Sequence, residues 1–477
     1  MPTNTSTPAL SREASTPLAK QLAARYAERI QQRLLLPGQR LPSVRECARH
    51  HNVSPYTVVA AYDQLLAQGL LEARKQRGFF VRESMPTPAR TPINAAPVRH
   101  TPVDASALIR GMFQADAKRA PGLGTLPAEW LDLPMIHTAM RKVLSEGDAS
   151  AQLALHYGEP AGDARLRVAL AQRLSDIGLN AAPEQIVTTV GATHALDLLT
   201  RSLLQPGDAV LVDDPGWAIE FARLSQAGMR LLPVPRGADG PDLAVMAQLV
   251  AQHAPKLYVT VSVLHNPTGN SLSLANAYQL LRMAEQGNFL IVEDDTYAFL
   301  APTHMPRLSA LDGLRRTVYV SGFSKILTPA WRVGYVAANS ERIARLTELK
   351  LISTLTTSPV PERAVAHCLE KGLLRRHAER VMSHLDAARQ RSLRLAVSAG
   401  CQAVTPAAGL FGWIDTGMDT ERLAQRMMDQ NWLIAPGALF SPTRRASTLM
   451  RINFATSQDA QFWKLLAQFR RDKSGRH

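Results

Sequence analysis

The chain has 477 residues and a formal charge of +14, with 46% hydrophobic and 20% charged residues. That length implies two to four domains, and the composition excludes disordered and fibrous classes. Cys47, Cys368 and Cys401 lie far apart without CxxC spacing, the first sixteen residues lack a signal pattern, and no apolar run approaches membrane-spanning length, so a disulfide framework, structural zinc, secretion and membrane insertion are not expected and the setting is cytoplasmic.

Residues 1–15 are polar and rich in Pro, Ser and Thr, the composition of a disordered lead-in. Residues 16–84 hold eleven Lys and Arg against five Asp and Glu, a net +6 on about a seventh of the chain. Leu18, Leu22, Tyr26, Ile30 and Leu34 recur every four residues, which predicts a helix running to Pro37-Gly38. Ser43-Val44-Arg45-Glu46 is a capping-box sequence that opens a second helix to about Arg49, with His50-His51-Asn52 as the turn. Ser54-Pro55 opens a third helix, whose Val58, Tyr62, Leu65 and Leu66 face inward and which stops near Gly69. LLEARKQRGFFVRE then predicts a two-stranded hairpin with a basic tip around Lys75–Gly78. Three helices and a basic wing make a winged helix-turn-helix. In that arrangement Ser54, Tyr56 and Thr57 face base edges from the start of the recognition helix. Arg45, Arg49, Arg74, Lys75 and Arg77 hold phosphates. Protein contact is the alternative use of such a module. His50 and His51 have no Cys or His partner at ligand spacing, so no metal is expected there. The stretch from Gly38 to Val81 resembles the GntR-type winged-helix domain along its whole length.

Residues 85–106 carry five prolines and almost no large apolar residues, which favours an extended linker over a core. The expected domains are therefore a lead-in at 1–15, a DNA-binding module at 16–84, a linker at 85–110 and a body at 111–477. Within the body QIVTTV, DAVLVDD, MRLLPVP, KLYVTVSVL, NFLIVEDD and TVYVSGF alternate with helical patterns, one from about His194 and another over residues 275–286. Such a pattern predicts an α/β fold with a mostly parallel sheet between helices. Ligands in such folds bind beyond the carboxyl ends of the strands, so polar residues there carry the most weight.

The strand in TVYVSGFSKILTPAWRVG ends at Ser324-Lys325, with Arg332 seven residues after the lysine. A lysine leaving a buried strand suits Schiff-base chemistry, because burial and nearby cations lower its pKa. Arg332 and the Ser324 hydroxyl suit a phosphate, and a surface loop is the bland alternative. In IVEDDTY, Asp294 suits a protonated pyridine nitrogen and Tyr297 the ring hydroxyl; a helix cap or an acidic metal pair with Asp295 would use the same residues. Asn266 in VSVLHNPTGN suits the ring oxygen or a plain strand-to-helix turn. VTTVGATHALDLL brings Gly191-Ala192-Thr193 to a helix start, where free amides bind anions. Trp217 in DDPGW either stacks on a flat ring or fills core.

Together, and in this order, these motifs resemble the fold-type I pyridoxal-phosphate enzymes, specifically the class I/II aminotransferases, over about residues 125–465. The resemblance adds a smaller C-terminal α/β subdomain to the expected fold and implies pyridoxal 5'-phosphate as cofactor. It implies that Lys325 bears the internal aldimine, that Asp294 pairs with the pyridine nitrogen and that Asn266 and Tyr297 meet the ring hydroxyl. Arg332, with Ser324, Ala192 and Thr193, holds the phosphate, and Trp217 stacks on the ring. Tyr157, in HYGEPAGDARLRVALA, matches the tyrosine that reaches the neighbouring subunit's phosphate, which implies a homodimer. Arg451, in MRINFA, matches the arginine that clamps a substrate α-carboxylate. Gly322 stands where many relatives have Ser or Thr, and Thr193-His194 where close relatives often have Gln-Gln.

A GntR-type module joined by a linker to such a body resembles the MocR subfamily of bacterial regulators. That resemblance implies a head-to-tail homodimer, a double-stranded DNA operator, and a body that senses pyridoxal phosphate or an amino compound through aldimine exchange at Lys325. A catalytically active α-amino acid aminotransferase with a fused DNA-binding module is the alternative. Neither a metal nor a membrane is an expected partner.

Overall fold

The computed structural model describes residues 16–31, 34–74, 77–82, 116–145 and 155–474. The expected lead-in, the linker at 85–110 and Lys75 lie outside them. The chain divides into two compact units, parted between Ala115 and Asp116.

The first unit contains α1 (Leu18–Gln31), α2 (Val44–His51) and α3 (Pro55–Ala67), followed by β1 (Leu71–Arg74) and β2 (Gly78–Val81). Helix α1 is described to Gln31, and the Leu34 and Leu35 amides both turn back onto the Arg29 carbonyl, ahead of Pro37. Helix α2 runs through His50-His51, which the sequence had placed in the turn. The reversal falls on Asn52 alone, whose left-handed backbone (φ 50°) returns its amide to the Ala48 and Arg49 carbonyls. Ser43 and Ser54 cap α2 and α3, accepting from the Glu46 and Thr57 amides at 3.3 and 3.1 Å. Leu22, Tyr26, Cys47, Val58, Tyr62, Leu65, Leu71 and Val81 form one buried core, while Leu66 is only half-buried. Strands β1 and β2 pair antiparallel, with Leu71 opposite Val81 and Arg74 opposite Gly78.

The second unit is built on β3 (Ile186–Val190), β4 (Ala209–Asp214), β5 (Arg230–Gly237), β6 (Gly240–Pro241), β7 (Leu257–Thr260), β8 (Leu290–Asp294), β9 (Thr317–Gly322) and β10 (Val333–Ala337). They form one sheet in the order β3-β10-β9-β8-β7-β4-β5-β6. The pairs β9-β8, β8-β7, β7-β4 and β4-β5 are parallel, whereas β10 runs antiparallel to both β9 and β3. The sequence reading missed β10, and its direction matters: it enters the sheet from the edge where β9 leaves it. Alternate strand residues face opposite layers. Val210, Val212, Val292 and Val320 pack with helices Gly191–Leu203 and Ser340–Thr354, while Leu211, Tyr258 and Ile291 pack with helices Leu243–His253 and Leu274–Gln286.

A smaller antiparallel sheet follows, β11 (Gln402–Ala403), β12 (Phe411–Asp415), β13 (Ala435–Pro436) and β14 (Leu449–Asn453), in the order β11-β12-β14-β13. It packs against helices Leu373–Ser398, Thr420–Asp429 and Ala460–Ser474 through Ile414, Met427, Ile452, Phe462 and Trp463. Among the described residues no helix is long and apolar enough to cross a membrane, no cluster could hold a metal ion, and all three cysteines are buried.

Candidate functional site

The carboxyl ends of β3, β4, β7, β8 and β9 open on one edge of the main sheet. Helix Gly191–Leu203 starts directly from β3 at Gly191 rather than near His194, and Gly191 has φ 75°, which a side chain would strain. A Cβ there would also meet the Arg332 Nη2 at 2.5 Å, so the guanidinium lies directly over the helix start. Arg332, the residue before β10, donates to the Ser324 Oγ at 3.1 Å and to the Val190 carbonyl at 3.2 Å. A guanidinium, a hydroxyl and the first amides of a helix thus share one anion-sized corner. His194 faces inward and accepts from the Val190 amide at 3.1 Å, whereas Thr193 is exposed. Gly322 backs onto the Gly334 Cα and the Ala192 amide, with a Cβ position 3.4 and 3.6 Å from them.

Lys325 sits beside this corner and donates to the Gly124 carbonyl at 2.8 Å. Its pKa falls from 10.5 to about 8 through loss of solvent and then the neighbouring Arg451, with Asp294 opposing. Arg451 reaches the same space from β14, opposite Trp413 and Ala435. The point where a Gly124 Cβ would stand is 3.9 Å from both the Lys325 Nζ and the Arg451 Nη2, so the two cations converge. Arg451 is buried, donates to the Asn266 Oδ1 at 2.9 Å and the Gly122 carbonyl at 2.6 Å, and lies 4.4 and 5.0 Å from the centres of the Phe411 and Phe440 rings. Its Nε is buried without an acceptor, and burial pulls its pKa down to about 10. Both of its acceptors are neutral oxygens. A carboxylate would complete it.

Asp294 ends β8 and lines a narrow cavity with Trp217, Glu220, Thr260, His265 and Asn266. It accepts from the Thr296 amide at 3.1 Å and, among the described residues, enters no ion pair. Burial, with Glu220 and Asp295 nearby, raises its pKa to about 7. A carboxyl in that state fits a cationic ring nitrogen, which would ionise it. Tyr297 is buried beside Asn266 and Arg451, and burial raises its hydroxyl above the ordinary value. Half-buried Trp217 starts helix Ala218–Gln226 and presents its ring to the cavity. The donor set therefore suits a flat, cationic, phosphorylated ring.

Sequence reasoning did not find the support beneath this cavity. Asp213, one residue before the end of β4, accepts from Arg236 at 3.2 Å, Tyr258 at 2.5 Å and Thr260 at 2.8 Å, with His265 at 3.5 Å. Burial opposes ionisation of Asp213, yet Arg236 and His265 hold it below the carboxylate range. His265 is pushed to about 4 by burial and Arg236, so its neutral ring precedes Asn266 in a fixed position. The acidic end of DAVLVDD was the available signal. Gly122 and Gly124 were also missed, since they act through backbone carbonyls. Tyr157 does not join the group: its side chain is 81% exposed.

In the first unit, Tyr56 projects from the start of α3 with 82% exposure, while Ser54 and Thr57 bond to each other through their hydroxyls at 2.8 Å. Arg45, Arg49 and Arg77 are exposed. Arg74 is partly committed, donating to Glu72 at 2.6 Å and lying over the Phe80 ring.

Residues 130–469 match the model for aminotransferase class I and II, and residues 18–81 match that for bacterial regulatory proteins of the gntR family. The HTH-type transcriptional regulator YdcR of Escherichia coli is 29% identical, covering 91% of this chain and 94% of its own. The HTH-type transcriptional regulator TauR of Rhodobacter capsulatus is 30% identical, covering 88% of this chain and 89% of its own. Among solved structures, the multiple substrate aminotransferase of Thermococcus profundus has a TM-score of 0.70 at 25% identity, covering 78% of this chain and 95% of that one.

Proposed function

The chain belongs to the class I and II aminotransferase family and carries a gntR-family module ahead of that domain, and on this premise we propose that it is a DNA-binding transcriptional regulator whose body senses an amino compound through pyridoxal phosphate. The observation that carries the reading is the convergence of Lys325 and a buried Arg451 lacking a carboxylate partner. Arg332, Ser324 and the amides at Ala192 and Thr193 would hold the phosphate, Asp294 the ring nitrogen, Asn266 and Tyr297 the ring hydroxyl, and Trp217 the ring face. When bound, the cofactor supplies a carbonyl carbon that accepts an amine and a ring that draws electrons from it. Lys325 contributes an amine already near neutrality, which an incoming amine can replace. Arg451 orients that amine's carboxylate by a bidentate contact, so an α-amino acid is the favoured effector class.

Exposed Tyr157 supports a homodimer in which each copy completes its neighbour's phosphate corner. In the first unit, Tyr56 supplies the exposed recognition group and Arg45, Arg74, Lys75 and Arg77 hold phosphates, with Ser54 and Thr57 shaping the helix start. Effector binding alters DNA affinity only if two conformations bind the effector differently.

A working aminotransferase is the second reading, favoured by the retention of Asp294, Asn266, Arg332 and Arg451 around Lys325. Visible absorbance of the cofactor-loaded protein, titrated with amino acids with and without a keto-acid acceptor, separates the two. A sensor gives a saturable spectral change without multiple turnover, and Lys325→Ala abolishes it. Sustained transfer to the acceptor would support the enzyme, and no response in either protein would sink both readings.

A further inference from the structure

The stretch from Arg119 to Thr125 crosses the site and is tied down almost entirely by its carbonyl oxygens. Gly122 O takes the Arg451 Nη2 at 2.6 Å and Gly124 O takes the Lys325 Nζ at 2.8 Å. Asn453, two residues beyond Arg451 on β14, donates its Nδ2 to Leu123 O at 3.0 Å and Thr125 O at 2.7 Å. The Thr456 hydroxyl donates to Ala120 O at 2.9 Å, and the Asn453 amide to Pro121 O at 2.7 Å. On the far side, the Gly122 amide donates to Leu433 O and the Leu433 amide to Arg119 O. The fit is close: a Cβ at Gly122 would lie 2.5 Å from the Ala435 nitrogen. This strap therefore occupies Arg451, the donor that an amino acid's carboxylate would engage, and holds Lys325, which its amine would replace. It is also the part of the body reached first along the chain from the DNA-binding module.

We propose that residues 119–125 are a carboxylate-displaced strap, positioned by Asn453, that competes with the effector for Arg451 and passes effector binding to the chain segment ahead of it. The proposal rests on the sensing site described above and deepens it. A carboxylate is a stronger acceptor than a peptide carbonyl, so it takes Arg451 from Gly122 and loosens the strap from one end. An amine without a carboxylate leaves that bond in place. The strap thereby makes the signal selective for amino acids over simple amines, at a cost in affinity that only the carboxylate ligand bears.

The test uses the full chain and two probes that differ only in the carboxylate, N-(5'-phosphopyridoxyl)-L-leucine and N-(5'-phosphopyridoxyl)-3-methylbutylamine. Hydrogen exchange of the peptide spanning residues 117–126 is expected to speed up on saturation with the first and not with the second. Asn453→Ala should raise exchange without any ligand. It should also widen the affinity gap in favour of the carboxylate probe by roughly two- to tenfold, the worth of one net hydrogen bond. A merely structural role would weaken both probes equally, and that result overturns the proposal. So does unchanged or equally raised strap exchange with both probes bound to the wild type, a result independent of whether the variant folds. If neither probe binds, the cofactor-site reading itself fails and the strap falls with it.

Discussion

Lys325 and Arg451 are two cations held within reach of one point, and each alters the other. Arg451 helps to keep the Lys325 amine near a pKa of about 8 instead of 10.5, so the neutral, nucleophilic form accumulates as pH rises through 8. Capture of added pyridoxal phosphate by cofactor-free protein, followed by visible absorbance, should therefore accelerate across that interval. Arg451→Gln removes one of the opposing charges and should move the midpoint upward; a wild-type midpoint near 10.5 would contradict the argument. Most of these side chains were legible in the sequence, because Lys325, Asp294, Asn266 and Arg332 each follow an apolar strand whose end the pattern marks. The strap was not. Gly122 and Gly124 carry no side chain, and Gly124 meets its partner across 201 residues of sequence.

At the scale of elements, the anion corner depends on two strands and a helix meeting without side chains between them. A Cβ on Gly334, in β10, would lie 2.5 Å from the Gly191 carbonyl carbon and 2.8 Å from the Ala192 nitrogen. Gly334→Ala should therefore weaken pyridoxal phosphate binding about tenfold or more, by displacing the helix start from Arg332, although Gly334 itself supplies no donor. Equal cofactor affinity, measured by equilibrium titration, would contradict this. Strand β10 escaped the sequence reading because VGYVA follows Arg332 with no turn signal, and antiparallel direction leaves no mark in a five-residue apolar run. In the smaller unit, the caps and inward residues of α2 and α3 were readable from Ser43, Ser54, Val58 and Tyr62. The end of α2 was not, since it depends on the left-handed backbone of Asn52.

For the whole molecule, the charge of +14 divides unevenly: the stretch 16–84 carries +6 and the large body spreads most of the rest thinly. Arg45→Ala and Arg77→Ala, both exposed, should each reduce the salt dependence of duplex DNA binding by about 0.9 in the slope of log K against log salt. Arg74→Ala should change it less, since Glu72 already pairs with that charge. A slope untouched by Arg45→Ala and Arg77→Ala would move DNA to another face. The central claim is that the body's cofactor site governs DNA affinity. It is tested most directly by measuring the full-length protein's affinity for a duplex selected from random sequence, with and without pyridoxal phosphate and amino acids, in wild type and Lys325→Ala. A change of about fivefold or more is expected in the wild type, the usual lower range of allosteric coupling, and none in Lys325→Ala. Identical affinities throughout, in both proteins, would contradict it.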